Sequence, residues 1–175
     1  MEDQLPSYSG DFEKLKVLYQ LEWGITNKDA EKPVLATYAV KTCLGFAIYS
    51  EELAVLGHIT TKFNSEKTLP LIFEELSKYD GNDYEVFLVG TETESEDVAV
   101  FKTILEENQE LNFNISSHGI GKYDSLAIDS QTNELFSYNL KENPIHKPMP
   151  FEKRLTVFLK MFSPASLEYK PTNVS

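Results

Sequence analysis

The stretch Val34-Leu-Ala-Thr37-Tyr-Ala-Val40-Lys-Thr-Cys43-Leu-Gly-Phe-Ala-Ile-Tyr49-Ser-Glu-Glu-Leu53-Ala-Val-Leu-Gly57-His58-Ile-Thr60 decides how the rest of the chain is read. Three short runs rich in Val, Ile, Leu, Tyr and Ala, over residues 34–40, 43–49 and 53–60, are separated by only two or three polar residues, the pattern of adjacent strands and not of helices. The close spacing of the last two predicts a β-hairpin turning at Ser50-Glu51-Glu52.

Working outward, Phe12, Leu15, Leu18 and Tyr19 recur near helical spacing and predict a short amphipathic helix over residues 11–23, with Trp23 anchoring it. Downstream, Leu69, Ile72, Phe73 and Leu76 mark one face of a helix that stops near Asp80-Gly81-Asn82. A strand over residues 84–89 closes at Gly90, and Ser95-Glu96-Asp97 offers an N-cap with acids in the first turn of a second helix carrying Val98, Phe101, Ile104 and Leu105. Residues 111–115 read as a strand ending in a turn at His118-Gly119-Ile120-Gly121, and residues 126–128 and 135–138 flank a hairpin turn. A last helix over residues 151–162, with Leu155, Phe158, Leu159 and Phe162 on one face, is expected to pack back on the sheet. The order predicts one α/β domain spanning residues 1–175, a layered sandwich around a mixed, largely antiparallel sheet.

With 175 residues the chain is long enough to bury a core without staples, and a single cysteine excludes a disulfide framework. Sixteen Lys and Arg against 28 Asp and Glu give a net charge of −12, which opposes binding to phosphate backbones or anionic lipid, so neither nucleic acid nor membrane is expected as a partner. Hydrophobic content of 41% and charged content of 25% are those of a folded protein. The acidic start Met1-Glu2-Asp3-Gln4 is unlike a signal peptide, and a reducing compartment that keeps Cys43 a thiol is the expectation. One cysteine and three scattered histidines, His58, His118 and His146, have no metal-ligand spacing, so no metal or other cofactor is expected.

Chemistry enters through Cys43 and His58. In a hairpin turning at residues 50–52 they lie on adjacent strands, close to opposite one another. A cysteine nucleophile needs such a partner, because the imidazole withdraws the thiol proton and later returns it to a departing amine. A strand cysteine is otherwise a small hydrophobe, and a histidine after Gly57 can be a satisfied structural residue. His118 and His146 read as loop and surface residues.

Thr37, six residues before Cys43, the strand ending in Tyr49, and Gly57-His58, fifteen residues after the cysteine, resemble the active-site stretch of the CheD-type chemoreceptor glutamine deamidases and of the cytotoxic necrotizing factor-like deamidating toxins. The likeness spans about residues 34–140, where both branches place a glycine-containing approach to the cysteine and this chain has Lys41-Thr42. The resemblance implies a CheD-like fold and hydrolysis of a glutamine side-chain amide to glutamate and ammonia, with Cys43 as nucleophile and His58 as acid and base. It further implies that Thr37 fixes the imidazole tautomer and that backbone amides near Thr42 and Cys43 hold the oxyanion. It implies a protein substrate and no cofactor. It fits a bacterial cytoplasmic enzyme or an effector delivered into a host cell. Related readings keep the thioester but pass it to an amine, as in transglutamination, or act on an N-terminal amide. A reading of another class keeps the fold as a non-catalytic protein-binding module, which Lys41-Thr42 favours.

Overall fold

The computed structural model describes residues 4–60, 62–90, 95–145, 149–155 and 172–173. Along these the elements are β1 (Leu15–Leu18), β2 (Trp23–Asn27), β3 (Val34–Tyr38), β4 (Leu44–Tyr49), β5 (Leu53–Ile59), α1 (Lys62–Leu76), β6 (Asp83–Gly90), α2 (Glu96–Glu106), β7 (Asn112–Ile120), β8 (Ser125–Asp129), β9 (Glu134–Phe136) and β10 (Thr172–Asn173). Two mixed sheets result, one in the order β1-β3-β8-β9 and the other in the order β10-β2-β5-β4-β6-β7. The α/β sandwich predicted from the pattern is thus present, with two sheets in place of one.

Alternation along the strands builds three layers. On β4 and β5, Phe46, Ile48 and Val55 point to one face and pack with Leu69 and Ile72 of α1 and Phe101 and Leu105 of α2. Their neighbours Ala47, Ala54 and Leu56 point to the other face and meet Leu18, Leu35, Leu126 and Ile128 of the four-stranded sheet. Val17, Val34, Ala36 and Ala127 line the outer face of that sheet beneath Tyr8 and Tyr138. Each large side chain so enclosed contributes on the order of 2 kcal/mol through the apolar area it takes from water. Gly57 is a packing requirement: a Cβ there would lie 2.2 Å from the Phe46 ring. The Ser95 side chain caps α2 by accepting from the Val98 amide, as its position before two acids predicts.

Three expectations are corrected. The helix predicted over residues 11–23 is a single 3-10 turn, Phe12–Lys14, followed by β1, a tight turn and β2. The apolar positions Leu15 and Val17 alternate around Lys16 and fill one face of a strand that pairs in parallel with β3, so sheet pairing overrides a weak helical period. This segment belongs to both sheets, since β1 extends one and β2 pairs with β5 in the other. Trp23, fully buried, sits on β2 opposite Gly57 and not on a helix. The turn placed at His118-Gly119 falls later, at Gly121 with φ 72, because β7 continues beside β6 as far as Ile120. Of the last helix, residues 151–155 are helical, with Phe151 and Leu155 exposed and not packed on the sheet. Residues 156–162, with Phe158, Leu159 and Phe162, lie outside the described residues, as do His146 and the side chain of His118.

Candidate active site

Thr37, Cys43 and His58 come from three elements and meet in the layer between the two sheets. Thr37 follows Leu35 on the inward face of β3, and His58 follows Ala54 and Leu56 on the inward face of β5. The two sheets are thereby bridged by Thr37 Oγ1 and His58 Nδ1, 3.0 Å apart, in a buried contact. Cys43 precedes β4 and belongs to the inter-sheet cluster with Val40, Ala47 and Val89. The residue paired with His58 is Gly45, so the cysteine sits diagonally from the histidine, two positions along on the same face, and not directly across. Gly45 has no side chain to fill the space beside the imidazole, and a Cβ there would already crowd Val89 at 2.7 Å.

The cysteine is presented by a turn. Its amide donates to the Val40 carbonyl at 3.0 Å, closing Val40-Lys41-Thr42-Cys43, and Lys41 and Thr42 project into solvent. The chain enters this turn through Ala39 with φ 57, a left-handed conformation that costs a non-glycine residue roughly 1 kcal/mol or more. Room for the turn comes from across the sheet. Gly90, φ 103, closes so tightly that a Cβ would fall 2.2 Å from the Cys43 carbonyl oxygen and 2.7 Å from that of Val40. The close approach that the cysteine turn makes to β6 thus depends on a glycine of the neighbouring strand.

Around the sulfur, the Gln20 Nε2 lies 3.5 Å from Sγ and the Thr42 Oγ1 lies 3.9 Å from it. A helix over residues 11–23 gives Gln20 no reason to meet the cysteine. Only the strand-turn-strand path of residues 15–27 brings it here.

Cys43 and His58 are 4% and 3% exposed, and that burial sets their charge states. Desolvation pushes the Cys43 thiol up from its ordinary value, outweighing the hydrogen bonds from Thr42 and Gln20 that pull it down, with the Asp97 carboxylate adding a further push upward. Desolvation lowers the His58 imidazole from 6.5 to about 4. The resting pair at neutral pH is therefore thiol and neutral imidazole, not a preformed ion pair. Among the described residues no group of three or more His, Cys, Asp or Glu is arranged to hold a metal ion, and no helix is long and apolar enough to cross a membrane.

Comparison of the chain with protein-family models gives no match, and comparison with curated proteins gives none.

Proposed function

We propose that this chain is a cysteine-dependent amidohydrolase that converts a glutamine side-chain carboxamide of a protein substrate to a carboxylate and ammonia. The observation that carries the reading is the buried bond between Thr37 Oγ1 and His58 Nδ1, in the same inter-sheet layer as the only thiol of the chain. A strand threonine that only filled space would not need to engage an imidazole nitrogen from the opposite sheet. Engaging Nδ1 gives Nε2 the proton-transfer role and fixes the ring plane.

With both groups neutral, attack and proton transfer proceed together. The Cys43 S–H proton passes to His58 Nε2 as sulfur bonds to the glutamine Cδ and the carbonyl oxygen becomes an oxyanion. Collapse of that adduct breaks the C–N bond, and the imidazolium gives its proton to the leaving nitrogen, releasing ammonia and a thioester. His58 then takes a proton from water as the hydroxyl adds to the thioester. Expulsion of the sulfur returns the proton to Cys43 and frees glutamate. The imidazolium exists only while the oxyanion is present, which is when a ring that resists charging has a counter-charge.

The test is intact-mass analysis of glutamine-bearing candidate proteins, with a gain of about one dalton per event and stoichiometric ammonia. Activity that persists in Cys43→Ala overturns the reading. The burial of Cys43 and the commitment of its amide to Val40 favour the second reading, a deamidase-like binding module. Iodoacetamide separates the two: a site in which His58 takes the thiol proton labels in the folded protein and slows in His58→Gln, and a module leaves the thiol inert until the protein unfolds.

A further inference from the structure

We infer that Gln20 is the oxyanion donor of this site, its side-chain Nε2–H bonding the oxygen that becomes negative when Cys43 adds to a carboxamide carbon. The inference rests on the reading of Cys43 as a nucleophile and adds to it a residue that neither the sequence pattern nor the family resemblance assigns.

Placement comes first. Gln20 Nε2 lies 3.5 Å from Sγ. When the carbon that joins Sγ turns its oxygen to the Gln20 side, that oxygen comes within about 3 Å of the donor, the distance at which an oxyanion is held. The usual main-chain donor is engaged elsewhere, since the Cys43 N–H is bonded to the Val40 carbonyl at 3.0 Å. A side chain therefore has to supply what the amide of the nucleophile does not.

Preorganisation is the second ground. Gln20 occupies the tip of the turn Tyr19-Gln20-Leu21-Glu22, closed by the Glu22 amide on the Tyr19 carbonyl at 3.0 Å and by the Tyr19 amide on Glu22 Oε2 at 2.8 Å. The turn is bound to the main chain of the histidine itself. The Leu21 amide donates to the His58 carbonyl at 2.8 Å, and the His58 amide donates to the Glu22 carbonyl at 3.0 Å. Leu21 is held at φ 67, a conformation that branched, bulky residues rarely adopt, while its side chain is buried in the helix-side core. A strained turn maintained by four hydrogen bonds fixes the donor relative to the base before any substrate arrives, which is the condition under which a hydrogen bond to a developing charge is most effective. The neutral carboxamide also places a donor beside a buried thiol without burying a second charge.

The test uses the full chain and two small reagents that differ in one respect. Iodoacetamide alkylates the thiol by displacement and forms no oxyanion, whereas p-nitrophenyl acetate acylates it through one. In Gln20→Ala, acylation is expected to slow by roughly 100-fold, with alkylation changed by less than about twofold. Gln20→Met keeps the length of the side chain without the Nε2 donor and without a charge beside the sulfur, and is expected to show the same split; it also serves if the alanine variant does not fold. Equal losses with both reagents, or no loss with either, overturn the inference, because Gln20 would then be tuning the thiol or doing nothing. Conversion of Gln20 itself to glutamate, seen as about one dalton on its peptide in the unmodified protein, overturns it too by making Gln20 a self-substrate. A wild-type thiol inert to both reagents brings down the nucleophile reading together with this one. Selective loss of acylation in a chain that deamidates no protein upholds Gln20 and overturns only the choice of substrate.

Discussion

The two ends of the β4–β5 hairpin make opposite use of one sheet. At its tip, Tyr49, Glu51, Glu52, Asp83, Glu85 and Asn114 line an open hollow of about 800 Å3. Two of the carboxylates there are partnered by exposed amides, Asn112 on Asp83 and Asn114 on Glu85, across β6 and β7. At its root, Thr37, Cys43 and His58 are enclosed between two sheets, with the thiol pushed up and the imidazole pushed down by loss of water. Space and charge gather at one end, and desolvated, mutually placed groups at the other. The second is the end we propose for reactivity, because a buried imidazole acquires properties that water does not give it.

The closed end is most directly broken at Gly90. A methyl at that position meets two carbonyl oxygens of the cysteine turn, and φ 103 is hostile to any L side chain. Gly90→Ala is expected to cost roughly 2–5 kcal/mol, read from the midpoint of urea unfolding. The same substitution at Gly81, φ 126 with nothing within 4 Å, meets no such contact and is expected to cost only the conformational strain, about 1–3 kcal/mol. Equal effects at the two glycines would mean that the cysteine turn is not packed as described.

Acid distinguishes the ends next. His58 titrates at about 4 in the folded protein and near 6.5 when unfolded, so between those values the unfolded chain binds a proton that the folded chain does not. Folding stability should therefore fall as pH is lowered from about 6.5 to about 4 and then level off for this group, a loss of roughly 3 kcal/mol. Urea titrations of the wild type and His58→Gln across that range measure it, and the slope is expected to flatten in the variant. An unchanged slope would show that the imidazole is not the buried neutral group.

Legibility followed the same division. The hairpin, both long helices and the cap at Ser95 were readable because each rests on local chemistry: alternation over six or seven residues, an apolar stripe, a hydroxyl before two acids. Cys43 and His58 stand out because the hairpin brings their segments side by side, whereas Thr37 is singled out by the family resemblance alone. What was not readable depends on pairing between distant segments. Four residues, Leu15–Leu18, are too few to separate period two from 3.6, and only the parallel register with β3 makes them a strand. With that strand missed, the turn carrying Gln20 had no way to be brought to the cysteine. Gly90, forty-seven residues beyond Cys43, likewise read as a strand end, because its close approach to the Val40 and Cys43 carbonyls exists only in the folded sheet.

The inter-sheet bond can be tested by a pair of variants. Thr37→Val keeps the shape and leaves His58 Nδ1 without this partner in a buried layer, an expected loss of about 1–3 kcal/mol. Thr37→Ser restores the hydroxyl and should recover most of the Cys43 alkylation rate, although it loses a methyl group from a filled core. Recovery of stability without recovery of rate would leave Thr37 as a packing residue and remove it from the chemistry.

The smallest effect is expected from the open end, and its smallness is the informative part. Glu85 pairs with Tyr49, whose hydroxyl is pushed up first by burial and then by the Glu85 charge. Glu85→Gln should therefore lower the Tyr49 pKa, a change visible in its ring resonances. Five residues separate Glu85 from Gly90 on β6, roughly 17 Å at about 3.3 Å per residue, which is beyond the screening length of about 8 Å at physiological salt. Alkylation of Cys43 should then change by less than about twofold and stability by no more than about 0.5 kcal/mol. A larger change at the thiol would mean that the acidic hollow and the cysteine are coupled through the hairpin that joins them, and the two ends would have to be treated as one site.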